Sequence, residues 1–107
     1  MESSNIDTHF NLKSFTNIRN LDEIKNYFEK IEDIYYSNYK SERRNLLETN
    51  IMTLIKLIDE NLQNHNSLNK EEISFLYFIK SLSLDKLPEY SKESEESVNK
   101  SVSMIIL

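Results

Sequence analysis

From Leu21 the apolar residues fall at helical spacing: Leu21, Ile24, Phe28, Ile31, Tyr35 and Tyr39. Steps of three and four draw one stripe along an α-helix. They leave Lys25, Glu29, Lys30, Glu32 and Asp33 for its wet side. Asn20 followed by Glu23 reads as a capping pair that opens the helix. Upstream, Ile6, Phe10, Leu12, Phe15 and Ile18 show no sustained repeat, so residues 1–19 are expected to form a flexible N-terminal arm with at most one short helical turn.

A polar break at residues 37–41 precedes a second stripe, Leu47, Ile51, Leu54, Ile58 and Leu62, which Leu46, Ile55 and Leu57 widen. Two such helices with a short link predict an antiparallel hairpin over residues 20–66. The alternative is one continuous helix in a long coiled coil, since only Asn and Ser interrupt the pattern. The Asn-rich stretch from Asn61 to Asn69 reads as a loop. Asn69 and Glu72 then form a second capping pair, before a helix apolar nearly all round: Ile73, Phe75, Leu76, Tyr77, Phe78, Ile79, Leu82 and Leu84. It should be the most buried element. Pro88 lies at or beyond its end, because proline in the interior would cost a hydrogen bond. Ser91 is the expected N-cap of a fourth helix with a thin stripe of Val98, Val102 and Ile105, and Glu93, Glu95 and Glu96 sit where the helix dipole favours acids. The fold class is therefore all-α, a hairpin followed by a helix pair over residues 67–107.

Composition narrows the chemistry. The 107 residues suit one domain. With no cysteine there is no disulfide, thiolate zinc site or cysteine nucleophile. With no glycine there is no glycine-dependent phosphate loop. Missing Gly and Ala beside abundant Asn, Lys, Ile and Ser read as AT-rich codon usage. The charge of −5 and scattered bases, with only Arg43 and Arg44 adjacent, argue against nucleic-acid binding. The polar start and the short aliphatic runs predict neither a signal peptide nor a membrane span, and a soluble intracellular protein.

Candidate catalytic groups are few. His9 and His65 stand alone, with no Glu-x-x-His pair to make a metal site. The carboxylate pairs Glu71-Glu72 and Glu95-Glu96 sit at helix starts, where capping and the dipole account for them. The aromatic residues fall mostly on the apolar stripes and read as core, with Tyr36 and Tyr90 as exceptions. No catalytic residue, metal or cofactor is expected.

The last third carries a family resemblance. Tyr77-Phe78-Ile79-Lys80-Ser81 places a small residue where a first helix would cross a second, and Ser94 and Ser101, with Val98 between, supply the small positions of that second helix. This spacing resembles that of a tetratricopeptide repeat, a helix–turn–helix of about 34 residues with small side chains at the crossing. The run from Phe78 to Leu84, then Pro88-Glu89-Tyr90-Ser91 and the stretch to Val102, resembles the first repeat of the Strap-like (tetratricopeptide repeat protein 5-like) family. The upstream hairpin is similar in length to that family's two-helix segment. The chain departs from the family pattern in reading Met104-Ile105-Ile106-Leu107 where a closing proline and further repeats would follow.

The resemblance implies a scaffold located in the cytoplasm, the nucleus or both. Its family roles are transcriptional coactivator cofactor in stress responses and reader of nascent tubulin. If the repeat alignment holds, the third helix would line a protein-binding concave face with Phe75, Phe78, Leu82 and Asp85; in a chain this short the same residues read more readily as core. The expected function is a non-catalytic protein or peptide interaction module. One repeat rarely buries its own faces, so a homodimer or further downstream repeats would complete it. The alternative is a helical-bundle or coiled-coil subunit that self-associates through Leu47–Leu62 and the Ile105–Leu107 end.

Overall fold

The computed structural model describes residues 10–37 and 43–106. Ile6, His9, Tyr39 and Leu107 lie outside them, as do most of the expected break at 37–41 and the side chains of His65, Ile105 and Ile106. Four α-helices run in order: α1 (Leu21–Tyr35), α2 (Arg43–Leu62), α3 (Lys70–Leu84) and α4 (Ser91–Ile106). No strand occurs among the described residues. The all-α arrangement is the expected one, a helical hairpin followed by a second helix–turn–helix.

The hairpin is antiparallel. The Arg43 guanidinium at the start of α2 donates to the Tyr35 carbonyl at the end of α1, 2.6 Å away. At the other end, Asn61 of α2 bonds the backbone of Arg19, just ahead of α1. The continuous-helix alternative therefore fails. Ile24, Phe28 and Ile31 of α1 meet Ile51, Leu54 and Ile58 of α2, with Phe75, Leu76 and Ile79 of α3, in one core of fully buried side chains. Each contributes about 1.5–3 kcal/mol on burial. An isolated helix of the length of α1 or α3 is marginal in water, so these shared faces hold the helices.

Several local expectations change. Residues 10–19 are not a loose arm, because Phe15 and Ile18 are buried and Phe10 and Leu12 pack on the core. Asn20 does not cap α1 with its side chain. It sits in the left-handed region (φ 61°, ψ 37°), whereas capping needs an extended residue that points its oxygen along the helix axis. Asparagine tolerates that conformation better than most residues, and the turn it makes sends residues 10–19 back toward α2 and α3. Glu32, expected on the wet side, is buried. Leu46 is exposed, so the buried face of α2 is narrower than its sequence suggests.

The second capping pair forms as expected. Asn69 Oδ1 accepts from the Glu72 amide at 2.8 Å and Glu72 Oε1 accepts from the Asn69 amide at 2.9 Å. Ser91 does not cap α4, because its backbone is already helical. Leu87, held extended by the proline after it, leads into a 3-10 turn, Pro88–Tyr90, that runs straight into α4.

The α3–α4 pair crosses on serines. Ser94 Oγ donates to the Ser81 carbonyl at 2.9 Å, and its hydroxyl lies 3.2 Å from that of Ser81. Two turns away, Ser74 and Ser101 donate to each other's carbonyls at 3.0 and 2.8 Å. With Ser97 also buried, the core face of α4 is a serine row. The expected valine stripe is displaced from it, with Val98 half-buried and Val102 47% exposed.

Candidate functional site

Two faces of α3 are candidates, on roughly opposite sides of the helix at 100° per residue. The first carries Phe75, Phe78 and Leu82, the expected concave lining. Phe75 is fully buried, and Phe78 and Leu82 are half-buried. The chain itself covers this face. The Phe10 ring centre lies 5.4 Å from those of both Phe75 and Phe78, and the Phe15 ring centre 5.2 Å from that of Phe75. Asp85 stands apart from the aromatic cluster, exposed just beyond the last turn of α3.

Two polar clamps fasten the covering segment. Glu72, with no exposed surface, accepts from the Asn17 amide N–H at 2.9 Å and the Asn17 side chain at 3.0 Å, in addition to its capping bond. Asn61 pairs with Arg19 as one strand pairs with another, accepting from its N–H at 2.7 Å and donating to its carbonyl at 2.9 Å. In the sequence Glu72 reads as a capping residue and Asn61 as the start of a loop. Nothing local marks either as a long-range partner.

The second face is open. Between α2, α3 and α4 lies a cleft of about 250 Å³. Met52 and Ile55 of α2, Tyr77 and Leu84 of α3, and Tyr90 of the 3-10 turn give it an apolar lining. Glu93 and Glu96 form its α4 lip. Its cations are already engaged: Lys80 Nζ lies 2.9 Å from Asp59 Oδ1, and Lys100 Nζ lies 5.4 Å from the Tyr77 ring centre. Tyr90, singled out in the sequence, belongs to this cleft; Tyr36 is 65% exposed.

A buried charge pair sits where α1 meets the end of α3. Lys86 Nζ donates to the Leu82 carbonyl at 3.2 Å and lies 3.9 Å from Glu32 Oε2. It also lies about 5.5 Å from the ring centres of Phe28 and Tyr35. Burial pushes the Glu32 carboxyl above its ordinary pKa against the pull of Lys86, and Asp33 and Glu29 add to the rise. Burial likewise lowers the Lys86 ammonium, against Glu32 and Asp85. Among the described residues Glu32 Oε1 has no hydrogen-bond partner. Set among Phe28, Tyr35 and the Leu82 carbonyl, the pair reads as a cost within the core. Among the described residues no group of three or more His, Asp or Glu is placed to hold a metal, and no helix is long and apolar enough to cross a membrane. Compared with known proteins, the chain matches no family model, no curated protein and no solved structure.

Proposed function

We propose that the chain is a non-catalytic protein-interaction module in which α3 and α4 act as a tetratricopeptide-like helix pair. The observation that carries this reading is the serine crossing: Ser81 on Ser94 and Ser74 on Ser101 bring the two backbones together as the small positions of such a repeat do. That close crossing consumes the serine face of α4 and leaves Val102 and the α2–α3–α4 cleft unpacked. The similarity to the Strap-like family supports a scaffold role in cytoplasm or nucleus. It extends to coactivator or nascent-tubulin work only if further repeats complete the groove.

Site-specific photo-crosslinking tests this. A benzoylphenylalanine at position 77 or 102 should give a discrete protein adduct in the cells the chain comes from, and one at exposed Lys30 should not. Equal labelling at all three positions would overturn the reading.

Self-association is the second reading, favoured by exposed Val102 beside half-buried Val98. It does not use the Leu47–Leu62 seam, because Leu47, Ile51, Leu54 and Ile58 are buried within one chain. Sedimentation showing a dimer that Val102→Asp dissolves would support it over a separate partner.

A further inference from the structure

We propose that the α2–α3–α4 cleft docks one amphipathic helix of a partner protein, through a single large apolar side chain flanked one turn away by lysine or arginine. The inference rests on the interaction-module reading and names the partner's chemistry.

Size sets the first limit. The cleft's 250 Å³ lies below the roughly 300–1,000 Å³ of cofactor and drug-sized sites. It exceeds the roughly 150 Å³ cavity that admits benzene. One leucine- or phenylalanine-sized side chain therefore fits the cleft. Met52, 37% exposed, and Ile55 also border a more open depression that runs on along α2 past Asp59 to Gln63. The contact surface thus continues for several residues beyond the anchor point.

Secondary structure sets the second. The described residues offer no strand edge for a peptide to extend, and a groove between helices takes a helix through anchors three and four residues apart.

Charge sets the third. Lys80 is paired with Asp59, and Lys100 lies over the Tyr77 ring. Glu93 and Glu96 line the lip with no hydrogen bond or ion pair among the described residues. Only Glu93 lies in the first turn of α4, where the dipole accounts for it; Glu96 lies a turn further in, so the expectation that the dipole explains it as well does not hold. A cation beside the anchor would meet both carboxylates, and the chain's charge of −5 draws such a partner in at low salt.

The test is selection of a displayed library of randomised helical peptides on the immobilised intact chain, followed by affinity measurement. The selected peptides should carry Lys or Arg one turn from a large apolar residue. Met52→Glu should weaken them at least tenfold, and Glu93→Lys with Glu96→Lys should do the same. Repeating the selection on that charge-reversed variant should return acid-flanked peptides. Both sets of positions are exposed, and circular dichroism of each variant checks that it folds. Peptides without a basic bias, or peptides indifferent to Met52→Glu, would overturn the inference and leave the module reading standing. A library that yields no binder at all would count against both.

Discussion

Replacing Glu72 tests how the segment 10–19 is held. The carboxylate is fully buried and accepts three hydrogen bonds: from the Asn69 amide at 2.9 Å, the Asn17 amide at 2.9 Å and the Asn17 side chain at 3.0 Å. In Glu72→Gln the shape is kept, but one oxygen becomes an NH₂ group. If the remaining oxygen keeps the two Oε1 bonds, the NH₂ faces the Asn17 N–H, donor against donor. One charge-assisted bond is lost outright, worth about 1.5–3 kcal/mol. Asn17 and Asn69 are exposed enough to rehydrate, and the cost of burying a carboxylate also disappears. Both offset part of the loss, so the net expectation is about 2 kcal/mol. Glu72→Ala, which removes every acceptor and leaves a void, should cost about 3 kcal/mol. At 4–8 °C per kcal/mol for a domain near this size, Glu72→Gln lowers Tm by roughly 10 °C. Thermal and urea unfolding followed by circular dichroism measure this, with Asn17→Ala in a double-mutant cycle. The Asn17–Glu72 coupling should be about 1 kcal/mol. A Glu72→Gln variant within 0.5 kcal/mol of wild type, or no coupling to Asn17, would refute the clamp.

Four further outcomes follow from the same contacts. Asn61→Ala should cost about 1–2 kcal/mol and speed hydrogen exchange at the Arg19 amide, whose acceptor is Asn61 Oδ1. Ser94→Val should overpack the α3–α4 crossing by about 1–3 kcal/mol, whereas Ser94→Ala costs about 1 or less, as read by urea midpoints. For Glu32 the folded-state pKa lies above the ordinary 4.5, so the folded chain holds this proton more tightly than the unfolded one. Its contribution to stability therefore declines as pH rises from 4.5 toward the folded value. Wild-type stability minus that of Glu32→Gln should fall over that window, and a rise would contradict the assignment. Lys86→Met alone strands the carboxylate and should cost about 2 kcal/mol, whereas Glu32→Leu with Lys86→Met should be at least as stable as wild type by chemical denaturation.

Legibility in the sequence divides by range. The 3–4 stripes of α1 and α2 specified two helices and their inward faces, and the Asn69–Glu72 pair marked the start of α3. These signals are local: the period of a helix and the reach of a capping side chain span a few residues. The serine spacing of α4 was legible too, though its core face proved to be serines and not valines, because backbones brought close at Ser81–Ser94 leave larger side chains to the flanks. Asn20 misled for the opposite reason. Its neighbour Arg19 is tied to Asn61, and that distant tie, not the local cap rule, accompanies its left-handed backbone.

The candidate faces were decided by tertiary structure. Phe75 and Phe78 were readable as apolar, but only the return of Phe10 and Phe15 across them shows that this side of α3 is covered. Tyr77, Leu84 and Tyr90 belong to the same stretch of sequence, yet they face the opening left where α2 and α4 diverge around α3. Periodicity determined which residues turn away from water, since that depends on the helical repeat alone. Which apolar face another part of the chain covers depends on contacts spanning 42 and 55 residues, and no repeat in the sequence encodes them.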